Sequence, residues 1–115
     1  MIKPWMAALV FAAAPVLAAD ADNRINAQSD VRMKVGQTKV IWGWRGDCGK
    51  RPTGIDRNRT RATELGTLSI GQWGVFKSRA CGGWTPAVEI VFTARKKGRE
   101  VITTQFDQRI NVVVR

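Results

Sequence analysis

Residues Pro86–Arg115 read PAVEIVFTARKKGREVITTQFDQRINVVVR, and their alternation decides the fold class. In Ala87–Ala94, Val88, Ile90 and Phe92 fall on one face and Val91 on the other, the two-residue period of a strand. Arg95–Arg99 (RKKGR) reads as a charged hairpin turn with Gly98 placed for a positive φ. The spacing predicts that Glu100–Phe106 returns as the partner of the first strand. Asp107-Gln108 then turns the chain into Arg109–Arg115, where Ile110, Val112 and Val114 alternate with Asn111, Val113 and Arg115.

Working upstream, the same period continues. Val31, Met33 and Val35 alternate with Arg32 and Lys34, and Lys39–Trp44 (KVIWGW) is β-branched and aromatic, with Gly43 marking a bulge or a close backbone approach. Ile55–Thr63 carries Arg57, Arg59 and Arg61 two apart, which on a strand share one face; a short helix from Asn58 is the other reading. Thr67–Ile70 and Val75–Arg79 read as short strands separated by a turn at Gly71-Gln72, and Ala80–Pro86 (ACGGWTP) reads as loop. No internal repeat or helical period competes. Many short strands at close spacing predict an all-β sandwich or small barrel of about seven strands.

The run Pro86–Arg115 resembles the last three strands of bacterial immunoglobulin-like sandwich domains. The resemblance implies a small immunoglobulin-like sandwich over residues 31–115 and carries no functional residue across. The chain has no tyrosine, and its two cysteines lie in glycine-rich loops.

Residues 1–19 (MIKPWMAALVFAAAPVLAA) place one lysine before an uncharged apolar run that ends in small residues. This is the pattern of a secretory signal peptide cleaved after Ala18 or Ala19; the run is shorter than the roughly 20 residues a membrane span needs. Residues 20–30 are polar and unpatterned and read as a flexible lead-in. The expected location is periplasmic or secreted, with no membrane-spanning segment once the leader is removed. In an oxidising compartment Cys48 and Cys81 pair as one disulfide that fastens two loops.

The chain holds 19 Lys and Arg against nine Asp and Glu. Removing the leader removes Lys3 and no acid, leaving 18 against nine, a balance of +9. Such a field attracts acidic partners and anionic surfaces. An acidic glycan, lipopolysaccharide or an acidic protein fits the compartment, and export argues against nucleic acid. No histidine is present, which excludes Ser-His and Cys-His nucleophile pairs and imidazole–zinc sites. No two carboxylates stand out as an acid–base pair, and Lys77-Ser78 point to opposite faces of a strand. The expectation is a binding or structural module, not an enzyme, with no cofactor or metal, and a monomer unless it belongs to an assembly.

The stretch GWRGDCG (43–49) and its cysteine partner define the candidate site: Trp44, Arg45, Lys50, Arg51, Arg79 and Trp84 gathered by the disulfide, with Arg57, Arg59 and Arg61 as a basic face. Tryptophan and arginine dominate binding hot spots, and a stapled loop loses less entropy on binding. The plainer reading of the same residues is core-edge packing, solvated charge and protection of sheet edges. A salt-bridged turn explains Arg45-Gly46-Asp47 as well as an adhesion motif does. Two further functions stay open: a subunit of an envelope or secreted assembly that binds a protein along a sheet edge, and a cationic antibacterial or toxin-like protein.

Overall fold

The computed structural model describes residues 20–115; the leader assigned to 1–19, with its cleavage site, lies outside the described residues. Eight strands follow in order: β1 (Arg24–Ile25), β2 (Asp30–Met33), β3 (Thr38–Arg45), β4 (Thr60–Ala62), β5 (Gly66–Ser78), β6 (Gly83–Ala94), β7 (Gly98–Thr103) and β8 (Arg109–Val114). Strands take 55% of the described residues and helix 6%, so the structure is mostly β. One sheet runs β1-β5-β6-β3, with β4 also on β5; the other runs β2-β8-β7. The pairs β1–β5 and β2–β8 are parallel and the remaining pairs antiparallel. Val31, Ile110 and Val112 from the smaller sheet share one buried cluster with Ile41, Trp42, Phe76 and Phe92 from the larger.

Four expectations change. Thr67–Ile70 and Val75–Arg79 belong to one 13-residue strand, β5, and Gly71-Gln72 is a bulge rather than a turn. Glu89, opposite the bulge on β6, explains the continuity. Its Oε1 accepts the Gln72 N–H at 2.8 Å and its Oε2 accepts Asn23 Nδ2 at 3.2 Å, so the bulge's spare donor is satisfied and the ladder resumes. A Cβ on Gly71 would lie 2.5 Å from Glu89 Oε1 and 2.8 Å from Val91 Cγ2, so a side chain there would displace the Glu89 carboxylate from the bulge.

Second, β6 and β7 are not hairpin partners. Strand β6 is flanked by β5 and β3 on its two edges, so it has no free edge for β7. The N–H groups of Arg95 and Lys96 both donate to Leu65 O, at 2.8 and 3.0 Å, which extends the β5–β6 register past Ala94 before the chain enters β7. Gly98 does take a positive φ, 146°. Third, Gly83–Pro86 belongs to β6 instead of a loop. Pro86 is tolerated because its partner Val75 donates its own N–H away from β6, to Asn23 O. In an antiparallel pair Pro86 must then face the opposite way, past the end of β3 at Arg45.

Fourth, part of the stretch read as a lead-in is built into the fold. Ile25 is buried in the core, Arg24–Ile25 adds a parallel strand to β5, and β2 begins at Asp30. A two-residue strand is too short to show a period.

Gly43 is a close approach, as its position in a strand suggests. The Phe76 ring covers it, 2.7 Å from where a Cβ would stand, and meets Trp42 with ring centroids 5.1 Å apart. At the far end of the smaller sheet, Gln105 brackets the last residue of β3. Its Oε1 accepts Arg45 N–H at 3.0 Å and its Nε2 donates to Arg45 O, so a side-chain amide stands in for a neighbouring strand.

Candidate functional site

Cys48 and Cys81 form a disulfide with Cα atoms 5.4 Å apart. Cys81 sits in the four-residue turn between β5 and β6, where Gly82 N–H donates to Arg79 O at 3.1 Å, and Cys48 lies in the loop between β3 and β4. The bond therefore joins two loops, as the glycine-rich surroundings of both cysteines imply. Further contacts hold the β3–β4 loop down. Gly49 N–H donates to the fully buried Thr85 Oγ1 at 2.8 Å, and Pro52 packs on Gly46. Arg51 pairs with Asp20 at 2.7 Å through a forked contact and stacks on Trp73, 4.4 Å from its ring centroid.

Beyond Pro52 the loop faces the sheet across an open groove of about 410 Å³. This is within the size range of small-ligand sites. Trp44, Leu68, Ile70 and Ile90 form its floor, Thr53–Asp56 one wall, and Ile102 and Thr103 of β7, with Thr104 after them, the other. Leu68, Ile70 and Ile90 are only half-buried for this reason. Arg59 and Arg61 are exposed at its edge. The one carboxylate lining it, Asp56, accepts the Asn58 N–H at 3.0 Å.

The residues grouped by sequence are separated here. Trp44, Arg59 and Arg61 meet at the groove. Arg45 turns to the Phe106 ring, 4.5 Å away, and Arg51 to Asp20 and Trp73. Trp84 lies opposite Lys77 at the β5–β6 end and is covered by Arg24 at 5.2 Å. Lys50 and Arg79 are exposed beside the disulfide. Arg57, Arg59 and Arg61 do not share a strand face, because β4 includes only Arg61. Arg57 instead donates to Gly71 O at 2.8 Å, at the β5 bulge.

Of the three large exposed aromatic side chains, Trp84 and Phe106 are thus each covered by an arginine of the same chain, while no such stacking engages Trp44. The half-buried Trp73 is covered in the same way. Sequence composition could not show this sorting, since every tryptophan in the chain has a basic residue within a few positions.

Several of the acids are engaged internally as well. Glu89 serves the bulge. Glu100 accepts Thr63 Oγ1–H at 2.7 Å and the N–H groups of Leu65 and Glu64 at 3.0 and 3.2 Å. Asp30 accepts Asn111 Nδ2 at 3.3 Å. Among the described residues the only ion pair is Arg51–Asp20. No group of three or more potential metal ligands occurs among them, and no helix there is long and apolar enough to cross a membrane. Neither a family model nor a curated protein nor a solved structure matches this chain, so its site rests on the geometry above.

Proposed function

We propose that the chain is a small exported binding module of the immunoglobulin-like sandwich type, acting in the periplasm or outside the cell on an acidic ligand. One observation carries this reading. Glu89, Glu100, Asp30 and Asp56 accept from amides or a hydroxyl rather than from basic side chains, and among the described residues one ion pair forms in a strongly basic chain. Unpaired arginines at a surface supply forked donors suited to carboxylate or phosphate oxygens. Acidic glycans, lipopolysaccharide and acidic proteins all offer them.

The test is a salt series on an immobilised acidic glycan or lipopolysaccharide, with Arg57→Gln, Arg59→Gln and Arg61→Gln combined. Retention is expected to fall steeply with salt and to drop at all salt concentrations in the triple variant. Retention that ignores both refutes the reading.

A second reading has its own observation. Strand β7 is an outer strand of the smaller sheet, and its Val101 is 55% exposed, so a partner strand could pair there. Capture of a protein partner that resists high salt and is lost in Val101→Lys would favour that reading.

A further inference from the structure

We infer that the groove beneath the β3–β4 loop is a site for a small amphiphilic carboxylate, a ligand with one carboxylate on an apolar body. The inference rests on the acidic-ligand reading and narrows it to one place and one chemistry.

Each half of that ligand answers an observation. The floor is apolar: Leu68 and Ile90 are packed on the core from one side, and with Ile70 they are left half-exposed to the groove. An apolar body laid there removes that remaining surface from water. Trp44, 40% exposed, adds an aromatic face that no arginine of the chain occupies. In a chain that stacks arginines on Trp73, Trp84 and Phe106, an uncovered tryptophan in a concavity is the platform left for a ligand.

The charge of the groove selects the other half. Arg59 and Arg61 flank Thr60 at its rim and pair with no carboxylate among the described residues. Asp56 offsets one of them, so the local balance matches a monoanion better than a phosphate dianion. A carboxylate takes two parallel N–H donors from one guanidinium, which fixes orientation as well as charge. The start of the loop that carries Thr53–Asp56 is anchored by the disulfide and by Gly49–Thr85, which lowers the ordering a ligand must bring about.

Titrations of the purified disulfide-bonded protein with butanoate, hexanoate, octanoate, phenylacetate and glucuronate test this, read by tryptophan emission and calorimetry. The affinity is expected to rise about threefold per methylene added from butanoate to octanoate. Phenylacetate is expected to bind, and octanamide to bind about tenfold more weakly than octanoate. The Arg59→Gln, Arg61→Gln double variant changes only exposed side chains and is expected to lose at least about tenfold for octanoate while keeping its unfolding midpoint. Trp44→Ala is expected to abolish the emission change, and Trp84→Ala to leave binding intact.

Phenylacetate binding in preference to octanoate assigns an aromatic acid, and the reverse order an aliphatic one; both support the site. Glucuronate binding as tightly as octanoate, or an affinity that ignores chain length, overturns the amphiphilic site while the acidic-ligand reading stands. If none of the five binds but retention on an acidic glycan remains salt-sensitive, the groove assignment alone falls. If that retention is also absent, both fall.

Discussion

Removing the Glu100 carboxylate tests how the two sheets are held together. Glu100 extends from β7 in one sheet and accepts three donors from the corner that leads into β5 of the other. Oε1 takes Thr63 Oγ1–H and Leu65 N–H, and Oε2 takes Glu64 N–H. Leu65 in turn buries its side chain against Gly98, and its carbonyl receives the amides of Arg95 and Lys96. Glu64 is exposed, so water replaces its bond in Glu100→Ala. The bonds to Thr63 and Leu65 are partly buried, and hydrogen bonds to an ionised acceptor are worth about 1.5–3 kcal/mol each. With both taken at the low end because each is partly open to water, Glu100→Ala should lower unfolding free energy by about 3–4 kcal/mol, a shift of roughly 12–30 °C in Tm for a domain of this size. Glu100→Gln keeps one oxygen but turns an amide N–H₂ toward the Glu64 N–H, so about 1 kcal/mol should be lost. Urea unfolding followed by tryptophan emission measures both, and amide exchange at Leu65 should quicken before global unfolding. An alanine variant within about 0.5 kcal/mol of the parent would refute the strap, because then water serves these donors as well as the carboxylate does.

Replacing both cysteines by serine reopens a 33-residue separation and should cost about 3–4 kcal/mol in the same urea assay; a loss below about 1 kcal/mol would show that Thr85 and Arg51 alone hold the loop. Gly43→Ala sets a methyl against the Phe76 ring, and about 1–3 kcal/mol should be lost as the ring moves. The near-ultraviolet signal of the Trp42–Phe76 pair should change with it, and an unaltered spectrum would contradict the packing. Asp107 holds a φ of 59°, so Asp107→Gly should raise stability by roughly 0.5–1 kcal/mol, and a lowered urea midpoint would argue against that conformation.

The strands that alternate cleanly were legible. Ile110, Val112 and Val114 point inward along β8 and Val31 and Met33 along β2, because a sheet buried on one face writes that face into every second residue. The disulfide was legible too, from two cysteines in glycine-rich loops. What sequence reading missed depends on partners distant in the chain. Gly71-Gln72 has turn composition, and only Glu89, 17 residues on, converts it to a bulge. RKKG has hairpin composition, and only the occupation of both β6 edges, by β5 and β3, keeps β7 from pairing there. At the site, Trp44, Arg45 and Arg51 are close in sequence but face the groove, the Phe106 ring and the Asp20–Trp73 pair respectively, since strand alternation and the loop separate them. The groove needed the pairing of β4 with β5 to bring Arg59 and Arg61 beside Leu68 and Ile70.

The parallel union of β2 with β8 sets an order of events. Val31 aligns with Val112, so the first strand of the smaller sheet has no neighbour until the last has been synthesised. Closing so long a span is entropically costly, and it cannot begin while the polypeptide is still emerging. Until then the half-made chain leaves that edge of the smaller sheet without its partner.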